Sequence, residues 1–320
     1  MAKGFYYWKS EFRLNTQELK AMQHLKITRL YLKFFDVIWD KELNSPSPVS
    51  VIRFTDKVPE GVAIIPSIYI TNETLLNLPK DQIPLLVENL YRKYRQLLSA
   101  NQVPEPLEIQ LDCDWTEQTE TKYFNLLSHL KQKLNRQTIL SATIRLHQIK
   151  YRNRTGVPPV SRGALMFYNL NHPGTPGVKN AILDLDVGRQ YLDHLQEYPL
   201  PLDVALPVYS WGVLFQGKNY LGLINNLTKK ELQQDPNFLY NKQSDLFTAK
   251  QNTYILQTHI YKNDQLRIDE IPYQELIKTS KYLAKRLRTH KLTVTLFHLD
   301  AKLLGRFTDE ELQNVFHAFD

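Results

Sequence analysis

Short apolar runs recur along the chain, each followed by a turn and then by a segment with helical periodicity. The first strand is predicted over residues 5–9. A helix follows over 15–24, with Asn15 or Thr16 as N-cap and Glu18 in its first turn. Second and third strands are predicted over 27–35 and 61–70, and an amphipathic helix over 84–100. Pro104 and Pro106 punctuate the approach to a fourth strand over 107–114, and a helix over 120–134 leads to a fifth over 138–147. The next crossover, 148–162, contains Gly156-Val157-Pro158-Pro159 and has room for one helical turn at most. A sixth strand over 164–169, a helix over 187–197, a seventh strand over 202–209, an eighth over 292–299 and a closing helix over 308–318 complete the series.

Strand–helix alternation of this kind builds a parallel sheet with helical crossovers. Eight such strands suit a closed (β/α)8 TIM barrel of α/β class, which leaves no unpaired edge. The chain reads as one domain over 1–320 with an insertion over 212–272. Between the seventh and eighth strands lie about eighty residues, a length that is often functional. They are predicted to hold a hairpin, 253–261 with 265–271, turning at Lys262-Asn263-Asp264, and then a helix over 273–289. An insertion leaving the C-terminal end of a barrel strand sits beside the active face.

Composition narrows the function classes. The chain has 320 residues, 42% of them hydrophobic, enough for a large core. No apolar run approaches the roughly 20 residues needed to cross a bilayer, so no transmembrane segment is expected. Net charge is +7, but basic residues are interspersed with acids, as in Lys229-Lys230-Glu231, and no nucleic-acid motif accompanies them; no nucleic-acid partner is expected. No Gly-rich phosphate turn follows the first strand, so no dinucleotide or other cofactor is expected. Cys113 is the sole cysteine and reads as a small buried apolar residue. Chain termini and composition leave oligomeric state open. The abrupt start at the first strand slightly favours a removed export segment over a cytoplasmic address.

The fourth strand carries the most chemistry. In Leu107-Glu108-Ile109-Gln110-Leu111-Asp112-Cys113-Asp114-Trp115-Thr116-Glu117, alternation sends Leu107, Ile109 and Leu111 toward the helices. Gln110, Asp112 and Asp114 then point into the barrel, with the two aspartates near its top. Paired carboxylates are costly to bury unless bonded or functional, and like charges push one pKa upward, a route to a general acid. The plainer alternative is that both aspartates bond neighbours such as Arg145 or Lys33. No His-x-His or His-x-x-x-His pattern supplies further ligands, so no metal is expected.

Asp112-x-Asp114-Trp115 resembles the Asp-x-Asp-x-Glu signature of chitinase-type barrels, glycoside hydrolase family 18. Over the whole chain there is a fainter similarity to uncharacterised bacterial proteins with glycosidase-like barrels. There an aspartate-rich fourth strand precedes a Tyr-containing helix and a Ser-x-Thr fifth strand, here Tyr123-Phe124 and Ser141-Ala142-Thr143. The resemblance implies hydrolysis of a glycosidic bond with the substrate's acetamido group as nucleophile, Asp114 orienting it and Asp112 stabilising Asp114. In that pattern the leaving-group acid stands where this chain has Thr116; Glu117, one residue on, is the substitute candidate. A barrel that binds a glycan or protein without cleaving it is the competing expectation.

Other strand ends are rich in aromatic and polar residues, which suit the apolar faces and hydroxyl edges of a carbohydrate ligand. Trp8, Lys33, Trp115, Tyr168, Asn169, Tyr209, Trp211, His298 and Asp300 are the candidate substrate contacts. Asp184-Leu185-Asp186 repeats the Asp-x-Asp spacing but precedes a helix, where capping accounts for it. The Asn-x-Ser/Thr sequences at Asn72, Asn153 and Asn226 mean little without a glycosylating pathway.

Overall fold

The computed structural model describes residues 1–193, 195–287 and 292–320. Eight strands run parallel: Ala2–Tyr7, Arg29–Asp40, Ala63–Ile70, Glu108–Asp112, Ile139–Arg145, Arg162–Met166, Leu202–Pro207 and Thr293–Phe297. The first pairs with both the second and the eighth, so the sheet closes on itself. Helices lie between the strands, among them Thr16–His24, Ile83–Ala100, Glu120–Lys133 and Tyr273–Ala284. This is the expected (β/α)8 barrel. Asn15 caps the first helix through a reciprocal capping box with Glu18.

Some expected elements differ. The helix expected over 187–197 is a single turn, Leu185–Arg189, capped by Asp184, followed by a 3-10 turn at Leu195–Glu197; His194 lies outside the described residues. Gly188 in that turn presses on Phe167, whose ring would stand 2.4 Å from an added Cβ. The helix expected to reach Thr289 ends at Ala284, and residues 288–291 lie outside the described ones. Leu107 precedes the fourth strand and is 74% exposed rather than packed on the helices. The second strand runs on to Asp40 and returns as Ser45–Val49, whose Pro46 and Pro48 face Trp39 and Val37. Proline has no N–H, so at both positions the outer side of this short strand lacks a donor.

The insertion is a second sheet. Ser210–Gln216, Asn219–Asn225, Phe238–Asn241, Leu246–Ala249 and Gln265–Glu270 form five antiparallel strands over a separate cluster that includes Ile224, Leu232, Phe247 and Leu266. The expected hairpin is not formed as such. Gln265–Glu270 pairs with Ser210–Gln216 and Leu246–Ala249, while Thr253–Ile255 folds back on Thr258–Ile260. In this pairing Leu266 and Ile268 are buried in the insertion core.

Strand alternation makes the barrel interior polar at its base. Arg29, Glu108, Ser141, Arg162 and Asp203 converge there. Arg162 donates to Asp203 at 3.0 Å, as does the Thr293 amide at 2.6 Å, and Ser141 donates to Glu108 at 2.7 Å. Burial raises the Asp203 carboxyl to about 7 against the pull of Arg162, whereas an unfolded Asp titrates near 3.9. The sign follows: stability from this group is complete below about pH 4 and lost as pH climbs through about 7, by at most about 4 kcal/mol. Asp203→Asn should flatten that decline. Denaturant midpoints of both proteins at pH 5 and pH 8 check it; equal pH differences in the two would refute the assignment.

Candidate functional site

At the C-terminal mouth, the ends of every barrel strand but the second, with the insertion, line a cavity of about 550 Å³. Asp112 is buried and accepts from Thr143 Oγ1 at 2.6 Å. Arg145, at the end of the fifth strand, donates through Nε to Asp114 and holds Nη2 3.7 Å from Asp112. Burial pushes the Asp112 carboxyl up, and Asp114 adds to that push while Arg145 opposes it. Burial works against the Arg145 charge too, but Asp112 and Asp114 outweigh it and hold the guanidinium firmly protonated. One cation therefore serves two carboxylates.

Aromatic rings form much of the remaining wall, with the Arg145 guanidinium over Tyr168 at 5.7 Å. Phe297 stands 5.8 Å from Trp8, 5.2 Å from Tyr168 and 5.6 Å from Tyr209, and Trp211 continues the row 5.4 Å beyond Tyr209. Tyr209 donates its hydroxyl to Asn169, which sits in the left-handed region at φ 57°. Trp211 is pinned from behind: its Nε1 donates to Asp269 at 3.1 Å, and Asp269 also accepts from Arg267 at 2.6 Å and from the Ala181 amide at 2.9 Å. His298 lines the cavity, and burial lowers it to about 4 despite Asp300, so the imidazole is neutral near pH 7.

The structure thus brings Asp112, Asp114, Trp8, Tyr168, Asn169, Tyr209, Trp211 and His298 to one cavity. Four other candidates do not line it. Trp115 stacks on Tyr123 at 5.1 Å in the helical layer and donates to the Thr155 carbonyl, because the strand ends at Asp112 and the chain then turns outward. Glu117 is exposed and paired with Arg154 at 3.0 Å. Lys33 is bound to Asp36 at 2.9 Å beneath the Trp8 ring. Asp300 caps the helix Ala301–Leu304 and pairs with Lys9 at 3.0 Å. Asn225, Asn226 and Phe297 line the cavity without being among the candidate contacts; the first two come from the insertion. Among the described residues no group of three or more His, Cys, Asp or Glu is placed to hold a metal ion, and no helix is long and apolar enough to cross a membrane.

No protein-family model matches the chain, and no curated protein matches it. Solved structures do. The spore cortex-lytic enzyme SleL of Bacillus cereus superposes with a TM-score of 0.57 at 15% identity, covering 100% of this chain and 74% of that one. A class V chitinase of Nicotiana tobaccum, a mutant form in complex with NAG4, gives 0.59 at 13%, covering 99% of each. A glycoside hydrolase family 18 chitinase from the chitin utilization locus of Flavobacterium johnsoniae gives 0.54 at 12%, covering 99% and 93%. The fold is chitinase-like. At these identities the likeness speaks for the barrel, and the chemistry has to come from the cavity's own residues.

Asp269 is the support on which the Trp211 wall depends. Asp269→Ala should lower stability by about 3–5 kcal/mol, because it leaves Arg267 charged and buried. Urea unfolding followed by Trp fluorescence measures this, and a loss under about 1 kcal/mol, the scale of an exposed ion pair, would contradict it.

Proposed function

We propose that this glycoside-hydrolase-like barrel binds a carbohydrate chain in the cavity and does not cleave it. The observation that carries the reading is the state of the two hydrolytic positions. Thr116 takes the acid's place in the signature and does not line the cavity, Glu117 is held outside by Arg154, and Arg145 occupies Asp114. General acid catalysis needs a protonatable group within hydrogen-bond reach of the leaving oxygen. A pyranose needs less: ring faces on Trp8, Tyr168 and Trp211 for its C–H surfaces, and polar edges for its hydroxyls. Asn169 and Asn225 supply such edges. The aromatic rings and amides of the lining, with the NAG4 ligand of the Nicotiana chitinase, make N-acetylglucosamine oligomers the first ligands to try.

A second reading, hydrolysis through Asp112 and Asp114, draws on the raised Asp112 carboxyl, a proton source inside the cavity. Calorimetric titration with NAG oligomers, alongside an assay for new reducing ends, separates the two. Binding without cleavage is expected, with Trp211→Ala weakening affinity at least about tenfold, about 1.4 kcal/mol. Cleavage that disappears in Asp114→Asn while binding persists would establish hydrolysis instead. Absence of binding to any glycan would end both readings.

A further inference from the structure

The small hairpin of the insertion, Thr253–Ile255 with Thr258–Ile260, has two unlike faces. Ile255 and Ile260 point into the insertion core. Tyr254 and Tyr261 lie open to solvent at 67% and 53% exposure, and the turn displays Leu256 at 71%. Leu256 has φ 52°, the left-handed region that favours glycine or asparagine and disfavours a branched side chain. Neither backbone preference nor burial accounts for a leucine at that position. Strain of this kind points to a use for the side chain.

Charge says what the use is. Residues 246–263 include Lys250 and Lys262 and no Asp or Glu. The acids that flank the segment are engaged: Asp264 is buried, and Asp245 is bound to Lys229. The rings are not arranged for stacking on a sugar or base. His259 sits between the tyrosines with interplanar angles of 53° and 88°, so they offer no shared flat surface. An apolar tip, tyrosines behind it and lysines at the base match a bilayer interface, where Tyr settles at the headgroup level and Lys meets phosphate.

We propose that this hairpin docks the protein on an anionic phospholipid surface, with Leu256 and Tyr254 entering the interface and Lys250 and Lys262 facing the headgroups. The net charge of +7 favours the same surface. The proposal is independent of the glycan reading, since the hairpin contributes nothing to the cavity lining.

Co-sedimentation of the full chain with vesicles tests it, using phosphatidylcholine alone and an equimolar mixture with phosphatidylglycerol. Association with the mixed vesicles, weakened by salt and near zero on phosphatidylcholine, is the expected result. Lys250→Glu and Lys262→Glu should each lower partitioning about fivefold or more. Leu256→Gly should also lower it, while its thermal midpoint stays level or rises because glycine suits the left-handed turn. The proposal is overturned by equal association of Leu256→Gly and the unaltered protein, by equal association with both vesicle types, or by none with either. Loss of retention on an insoluble glycan in Tyr254→Ala, with vesicle binding untouched, would also overturn it.

Discussion

A charged side chain inside a closed barrel has to find its counter-charge there, since water is largely excluded and an unpaired ion costs several kcal/mol. Arg145 meets that requirement for Asp112 and Asp114, just as Arg162 does for Asp203 at the opposite end. The constraint shapes both ends of the molecule. At the base it produces a lattice of ion pairs and hydroxyls. At the mouth it leaves the guanidinium and one carboxylate beside an open cavity, where a ligand can meet them.

Pairing also underlies the proposed lack of cleavage at this mouth. Asp114 has a cation in direct contact, and no second carboxylic acid among the described residues stands across the cavity from it. Around these charges the cavity is lined by aromatic rings and by Asn169, Asn225 and Asn226. In the proposed reading such a surface would hold a polyol by contact area and hydrogen bonds.

Much of this was legible from residues alone, because a two-residue period is a local property. The alternation Gln110, Asp112 already assigns the fourth strand its faces, and Asn15 with Glu18 already marks a helix start. Legibility failed where the period broke. The register shifts between Lys33 and Phe35, so the second strand's parity changes just beyond Lys33, a predicted ligand contact. The fourth strand stops at Asp112, and Trp115 and Glu117 then follow a turn closed by Thr116 and Thr119 rather than the pleat. Asp300 has the composition of a site residue and the job of an N-cap. The insertion hid its pairing for another reason: Gln265–Glu270 joins Ser210–Gln216 across a long stretch of chain, a contact that no local window contains.

The return strand Ser45–Val49 has one further consequence. It is the only free margin of the nine-stranded sheet among the described residues, and its prolines remove the donors through which another chain would extend it. Copies of this protein crowded together during synthesis or refolding therefore meet a margin that does not template growth, and cross-β assembly has to begin somewhere other than the barrel.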